Sequence, residues 1–419
     1  MANQDKSSMT ERPRPVHDGL LERANRVIPG GVYGHLRTNG LHPSLPQFFA
    51  RGDGSQVWDV DGKQYTDLMC SFGPMIVGHG NPIVRRAAQQ QADFGDTLSG
   101  PTARMVELAE LFVESVPSAE WAIFSKNGTD ATTMAVTTAR AATGKRVILV
   151  ARGSYHGAAP WCTPNPLGVV PEDRAFLKYF EYNDLPSAER AAAEAGDDLA
   201  GIIVTPIRHE NRRDIELPDP AFARGLRVIA TRASAALILD DVRCGFRLDV
   251  RGSWEQLGVR PDMVAWSKAI ANGFSLAALT GVNSLREAAS SIFVTGSFWC
   301  SAVSMAASIA TITLLRDYNS AEQMRLTGNH LRSGLLESAS ANGFSIRHTG
   351  PVQMPVLSFD DDPNFEKVLD WSVQMAKHGV IVHPWHNWFL STAHTIEDID
   401  RVIAASDKAF ASIRKNFDT

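Results

Sequence analysis

The sequence lacks several features that would place it at once in a class of protein. Its four cysteines, Cys70, Cys162, Cys244 and Cys300, are scattered without the close pairs that metal sites and redox motifs use. No apolar run is long enough to span a membrane, and the polar first residues contain no signal-peptide core. These absences predict a cytoplasmic protein without a membrane segment or a metal site.

An excess of charge of one sign is missing as well. The chain has 41 basic and 46 acidic residues, a formal net charge of -5 and a pI near 6.2. This balance provides no general field for nucleic acid or for an acidic membrane. With 44% hydrophobic and 21% charged residues over 419 positions, the composition is that of a globular protein too long for one core. We therefore expect small-molecule partners, with no nucleic acid and no membrane.

What is present is a pair of short apolar runs that each lead to a charged side chain. Residues 236–239 are followed by Asp240 and Asp241, and residues 263–266 are followed by a serine and Lys268. Such runs are typical of buried parallel strands, whose carboxyl ends form the ligand-binding edge of a sheet. Two neighbouring strand ends would bring a carboxylate and an amine into one crevice. The alternative is two buried strands with a satisfied acid and a surface lysine.

A carboxylate and a lysine in one crevice suit pyridoxal 5'-phosphate. The lysine holds this cofactor as a Schiff base, and the carboxylate keeps the pyridine nitrogen protonated so that the ring accepts electrons. The run Asp-Asp-Val-Arg-Cys-Gly-Phe-Arg at 240–247, with Pro-Asp ahead of Lys268, resembles the signature of class III, fold-type I aminotransferases. Asp241 replaces the glutamate of that family. The resemblance implies that Asp240 and Lys268 are catalytic and that Val242 faces the cofactor ring.

Two further segments resemble cofactor-binding motifs of the same family. Asn127, Gly128 and Thr129 follow a predicted strand and begin a helical run, where exposed amides form an anion site. They resemble the phosphate cup of the family, with asparagine in place of serine. Tyr155 begins a Tyr-His-Gly segment whose aromatic ring stacks on the cofactor in that family. His156 is expected to be a structural hydrogen-bonding residue.

Three residues are candidates for binding the substrate. A Pro-Gly-Gly-Val segment leads to Arg37, and it resembles the start of glutamate-1-semialdehyde aminomutases and their relatives, where an arginine grips the substrate carboxylate. Phe72 stands where that group has tryptophan, and His386 stands where the aminomutases have a substrate-facing glutamate. The alternatives are a surface arginine in a loop for Arg37 and core packing for Phe72.

Other departures from the family pattern concern the same pocket. Thr205 precedes a proline where the family has glutamate, and His209 or Glu210 would have to replace that carboxylate. Phe298 and Trp299 are large side chains at positions where the family has small ones, which suggests a reshaped substrate pocket. The segment after the Tyr-His-Gly motif is shorter than the closing segment of the aminomutases. These departures favour a transaminase.

The resemblance extends from residue 29 to residue 395 and implies an α/β fold of type I. We expect a large lobe with a mostly parallel, seven-stranded sheet flanked by helices, and a small α+β lobe built from both chain ends. The expected divisions are an N-terminal segment, 1–75, a large cofactor-binding domain, 76–305, and a C-terminal domain, 306–419. Ser297 would contact the phosphate from a neighbouring subunit, so the resemblance implies a homodimer with shared active sites.

The reaction implied is transamination. An amino acid or amine donor would give its amino group to the cofactor, leaving pyridoxamine phosphate, and a keto acid or aldehyde acceptor would take it. One alternative is the intramolecular amine shift of glutamate-1-semialdehyde 2,1-aminomutase. The other is a non-catalytic protein that keeps the fold for sensing a ligand.

Overall fold

A small sheet opens the fold in the computed structural model, which describes residues 13–34 and 42–417. Helix α1 (Pro15–Val27) precedes strands β1 (Phe49–Asp53), β2 (Gln56–Asp59) and β3 (Gln64–Asp67). The three strands pair in antiparallel order. Gly62 lies in the turn between β2 and β3 at a φ of +82°, a conformation that glycine adopts without strain.

The large sheet has seven strands, and six of them run in one direction. Its order is β4-β10-β9-β8-β7-β5-β6, in which β10 alone is antiparallel to its neighbours. The sheet confirms the mostly parallel, seven-stranded architecture that the sequence predicts. The strands are β4 (Trp121–Ser125), β5 (Val147–Ala151), β6 (Leu177–Phe180), β7 (Leu199–Val204), β8 (Ala236–Asp240), β9 (Met263–Trp266) and β10 (Ala277–Gly281).

Helices cover both faces of this sheet. Along β8, Leu237 and Leu239 belong to one apolar core and Ile238 to another, because successive side chains of a strand point to opposite faces. The helices after α1 are α2 (Pro82–Phe94), α3 (Ala103–Ser115), α4 (Gly128–Thr143), α5 (Leu185–Ala195), α6 (Pro220–Arg232), α7 (Arg286–Ser291), α8 (Ala302–Asp317), α9 (Ser320–Ala341), α10 (Glu366–Lys377) and α11 (Ile396–Phe417).

The two ends of the chain meet in the small sheet. Strands β11 (Ile346–Thr349) and β12 (Val356–Phe359) form an antiparallel pair, and β13 (Val380–Ile381) adds to β3 in parallel. The domain limits at residues 75 and 305 stay predictions. Within 13–34 and 42–417, the structure contains no helix that combines the length and the hydropathy required to cross a bilayer.

Candidate active site

A cavity of about 250 Å³ lies where the carboxyl ends of β7, β8 and β9 meet the start of α4. It brings together seven of the residues that the sequence predicts for the cofactor site. A larger cavity, of about 720 Å³, contains charged side chains that pair with one another, such as Arg325 with Glu322 at 2.6 Å, and carries no such set. The smaller cavity is lined by Asn127, Gly128, Thr129, Tyr155, His156, Gly157, Thr205, His209, Asp240, Val242, Arg243, Ser267 and Lys268.

Asp240, the last residue of β8, is held by two hydrogen bonds. Its Oδ2 accepts one from Nδ1 of His156 at 2.7 Å, and its Oδ1 accepts one from the amide of Val242 at 3.2 Å. The prediction that His156 is a hydrogen-bonding residue is confirmed. The ring of His156 stacks on Trp161, with centroids 6.2 Å apart and planes 14° apart. Both members of the His156–Asp240 pair are buried, so the carboxylate presents a fixed orientation to the cavity.

Lys268 follows β9 and has an unusual backbone conformation. Its φ is +52°, in the left-handed region that side chains other than glycine rarely adopt. Burial lowers the pKa of its amine to about 7, and the charge of Arg243 lowers the pKa further while Asp240 opposes the shift. A substantial share of the amine is therefore neutral at neutral pH, which is the form that attacks a carbonyl group or accepts a proton.

The start of α4 forms the opposite wall. Asp130 accepts hydrogen bonds from the amides of Asn127 at 2.9 Å and Lys126 at 3.2 Å, which fixes the turn into the helix. The first-turn amides of a helix have no partner within it and attract an anion. Only glycine fits at Gly128, since a Cβ there would lie 2.8 Å from a methyl group of Val242.

Gly157 has a similar constraint on the other side of the cavity. Its φ is +126°, and a Cβ would lie 2.4 Å from Oγ1 of Thr129. The same Oγ1 accepts a hydrogen bond from the amide of Ala158 at 3.1 Å. The loop that carries Tyr155 is thereby held close to the start of α4.

These features fit pyridoxal phosphate. The helix start offers amides to a phosphate, Lys268 offers an amine of lowered pKa, and Asp240 offers an oriented carboxylate. Nε2 of His156 is buried and has no hydrogen-bond partner among the described residues, so a further polar group is compatible with this corner of the site. A lysine and a carboxylate on neighbouring strand ends of such a sheet define a pyridoxal phosphate enzyme of fold type I.

Comparison with known proteins specifies the family. The model of class III aminotransferases matches residues 39–404. The chain is 46% identical to the aminopentol aminotransferase of Sphingopyxis macrogoltabida, over 95% of this chain and 94% of that protein. It is 32% identical to a glutamate-1-semialdehyde 2,1-aminomutase of Natranaerobius thermophilus, over 92% of this chain and 95% of that protein.

A solved structure is also similar throughout its length. The FumI protein of Sphingopyxis sp. MTA144, in its pyridoxal phosphate internal aldimine form, superposes with a TM-score of 0.95 at 45% identity, over 96% of this chain and 97% of that chain. The chain therefore belongs to the class III aminotransferases. It is a pyridoxal phosphate-dependent enzyme that moves an amino group from an amine donor to a carbonyl acceptor.

The predicted substrate residues Phe72 and His386 do not line this cavity, and Phe72 lines another cavity of about 390 Å³. Phe72 is the last of three successive residues with φ values of 46°, 56° and 63°, and its ring meets that of His386 edge-on at 5.1 Å. Nε2 of His386 accepts a hydrogen bond from Arg243 at 2.9 Å. Of these three residues, only Arg243 lines the cavity that contains Lys268. Arg37 lies outside the described residues, so its role stays a prediction.

His209 and Glu210, the two candidates to replace the glutamate of the family, lie in different surroundings. His209 lines the cavity and donates from Nδ1 to the carbonyl of Ile207 at 3.0 Å, whereas Glu210 turns away to pair with Arg208 at 2.5 Å. Burial holds the pKa of His209 well below its usual value, so this residue supplies a neutral polar group.

The segment that contains Ser297 lies away from the cavity. Ser297 and Phe298 are exposed, the latter at 67%, and the ring of Trp299 folds over Gly296. None of the three lines the cavity that the described residues form.

Sequence reasoning missed Arg243. The residue lies inside the family signature, at one of its two variable positions, and nothing in the local pattern distinguishes it from a surface arginine. Its burial is the structural signal, since only 8% of its surface is exposed.

Proposed function

We propose that this aminotransferase takes the amino group from a primary amine, such as an aminopentol, and passes it to a keto acid, with Lys268 and Asp240 as its catalytic residues. The observation that carries the residue assignment is their position at neighbouring strand ends in one cavity. The donor class is supported by the 46% identity to an aminopentol aminotransferase. The resemblance to family motifs also leaves a carboxylate-bearing β- or ω-amino acid as an alternative donor.

Each residue has a distinct task in this proposal. When bound, pyridoxal phosphate supplies the electron sink that stabilises negative charge at the donor carbon. Lys268 would hold the cofactor and, as a neutral amine, would remove the proton from the donor carbon as general base. Asp240, oriented by His156, keeps the ring nitrogen protonated.

The rest of the cavity binds and orients the cofactor. Asn127, Gly128 and Thr129 hold the phosphate at the start of α4. Tyr155 and Val242, which line the same cavity, would contact the ring. Because these groups come from α4, β8 and the loop after β5, the cofactor position depends on the packing of the whole sheet edge.

The test is a panel of amine donors offered to the purified protein. An aminopentol or another primary amine should convert the absorbance of the bound cofactor to that of pyridoxamine phosphate, and pyruvate should reverse the change. The alternative is an intramolecular amine shift. Rapid isomerisation of glutamate-1-semialdehyde without any acceptor, together with no conversion by other amines, would favour that alternative and contradict the proposal.

We further propose a cytoplasmic homodimer in which Ser297 serves the phosphate site of the partner. The exposure of Ser297 and Phe298 supports this assignment, since both are available to a second subunit. Mixing inactive Lys268→Ala with an inactive Ser297→Trp variant should regenerate activity through hybrid sites. A fully active monomer in analytical ultracentrifugation would contradict the arrangement.

A further inference from the structure

Arg243 is a buried, positively charged residue in the cavity wall, and one nitrogen of its guanidinium, Nη1, donates hydrogen bonds to neighbouring residues. Its Nη1 donates to Nε2 of His386 at 2.9 Å and to Oδ1 of Asn387 at 2.6 Å. The other nitrogen of His386, Nδ1, donates to the carbonyl of Asn387 at 2.6 Å, so Nε2 is an acceptor and the ring is neutral. Two neutral acceptors therefore hold Nη1 and fix the plane of the guanidinium.

The opposite edge of the guanidinium has no such partners. Nε is buried without a hydrogen-bond partner, and no described residue accepts a hydrogen bond from Nη2. These two nitrogens present parallel N–H groups, which is the geometry that binds both oxygens of a carboxylate. The guanidinium thus has two donors already oriented for a carboxylate. Because a buried N–H group without an acceptor raises the free energy of the folded protein, a ligand that accepts from both is favoured.

The charge of Arg243 is also without a direct ion pair. No ion pair joins it to an acidic side chain within residues 13–34 and 42–417, and its direct acceptors are neutral. Burial lowers its pKa to about 10, which leaves it charged at neutral pH. Asp240 attracts the guanidinium within the same cavity without a direct contact, so an anionic ligand at the guanidinium would stabilise the site further.

We propose that the Nε–Nη2 edge of Arg243 binds the carboxylate of the keto acid acceptor. This inference rests on the proposed function, because it names the group that selects the acceptor in that reaction. In a 2-keto acid the carboxylate is bonded directly to the reacting carbonyl carbon. Arg243 and Lys268 line the same cavity, so one small acceptor can meet both. An amine donor without a carboxylate does not use this edge.

The test compares two acceptors that differ only in the carboxylate. The protein, loaded with pyridoxamine phosphate, is mixed with pyruvate or with acetaldehyde, and the return of the pyridoxal phosphate absorbance is followed. Arg243→Met also removes a charge that lowers the pKa of Lys268, so both reactions should slow to some extent. The reaction with pyruvate should slow by about ten- to a hundredfold more than the reaction with acetaldehyde. Arg243→Lys keeps the charge without the paired N–H groups, and it should recover only part of the loss.

A binding measurement makes the result independent of turnover. Propanoate, an unreactive carboxylate, is titrated into the holoenzyme by calorimetry, and Arg243→Met should weaken its Kd by about tenfold or more. Wild-type protein that binds propanoate through Arg243 but converts no amine would contradict the proposed function and leave this inference standing. Equal slowing with both acceptors, or an unchanged Kd for propanoate, would overturn the inference. Loss of bound cofactor with an unchanged Kd would assign the edge to the cofactor and also overturn it.

Discussion

Two buried arginines on one segment belong to regions that use a buried charge differently. Arg243 lines the cavity and its Nε has no hydrogen-bond partner among the described residues, whereas Arg247 lies in a junction between the loop after β3, the segment before α11 and helix α9. Arg247 donates to the carbonyls of Gly73, at 2.5 Å, and Leu390, and its Nη1 contacts the sulfur of Met324 at 3.8 Å. Burial lowers the pKa of both guanidinium groups to about 10.

The two arginines differ in how many partners their guanidinium groups have. Nε of Arg247 also lacks a partner among the described residues, but its two terminal nitrogens are engaged and its side chain has no exposed surface. The guanidinium lies 5.1 Å from the centre of the Phe389 ring, which adds a favourable cation–π contact. In the junction, Arg247 therefore joins segments that are distant in sequence. In the cavity, Arg243 has donor groups that we propose bind a ligand. Substitutions in the cavity should reduce activity, and substitutions in the junction should reduce stability.

The largest effect should come from Lys268, the residue on which the cavity region depends. Lys268→Ala removes both the covalent attachment and the proton carrier, so we expect kcat to fall by about 10⁴-fold or more. The midpoint of urea unfolding should change little. Borohydride reduction followed by peptide mapping should label Lys268 in the wild type, and a label on another lysine would contradict the assignment.

Arg247→Met should have the next largest effect, on folding. It leaves the carbonyls of Gly73 and Leu390 without their donor, and we expect a loss of about 2–4 kcal/mol in the free energy of unfolding. Arg243→Met is the matched comparison, because it also leaves two buried acceptors, Nε2 of His386 and Oδ1 of Asn387, without their donor. In ligand-free protein that variant should lose less, about 1–2 kcal/mol, because Arg243 bonds only to residues 386 and 387, whereas Arg247 joins three segments. Similar losses for both variants would remove the distinction between the two regions.

The smallest effect is a pH dependence that originates in the cavity. The pKa of Lys268 is about 7 in the folded protein and near 10.5 in the unfolded chain, so the unfolded chain binds more protons between these values. The stability of cofactor-free wild type should therefore rise with pH across this range, relative to Lys268→Met, by about 1 kcal/mol per pH unit. Below pH 7 the difference should be constant and should favour the variant. Urea unfolding of both proteins from pH 6 to pH 9 measures it, and a difference independent of pH would mean that the lysine is not buried as a neutral amine.

The sequence by itself determined the framework of the site. The apolar runs before Asp240 and Lys268 are local patterns, and a run buried on both faces has few other solutions than a strand in a parallel sheet. Adjacent parallel strands end at one edge, so the meeting of these two residues in one cavity followed from the pattern. The turn into α4 was predictable for the same reason, since glycine at a helix start has a local conformational signature.

Only the tertiary structure decided which partners the side chains in this framework meet. His156 reaches Asp240, and Arg243 reaches His386, across long stretches of chain. The ring of Phe72 meets that of His386, another contact between distant segments, and its role in substrate binding stays a prediction. Hydrogen bonds of this kind depend on the packing of distant segments. A local pattern therefore does not encode how many N–H groups of a guanidinium find an acceptor. That is why the sequence predicted most residues of the cavity and revealed nothing of the unpaired edge of Arg243.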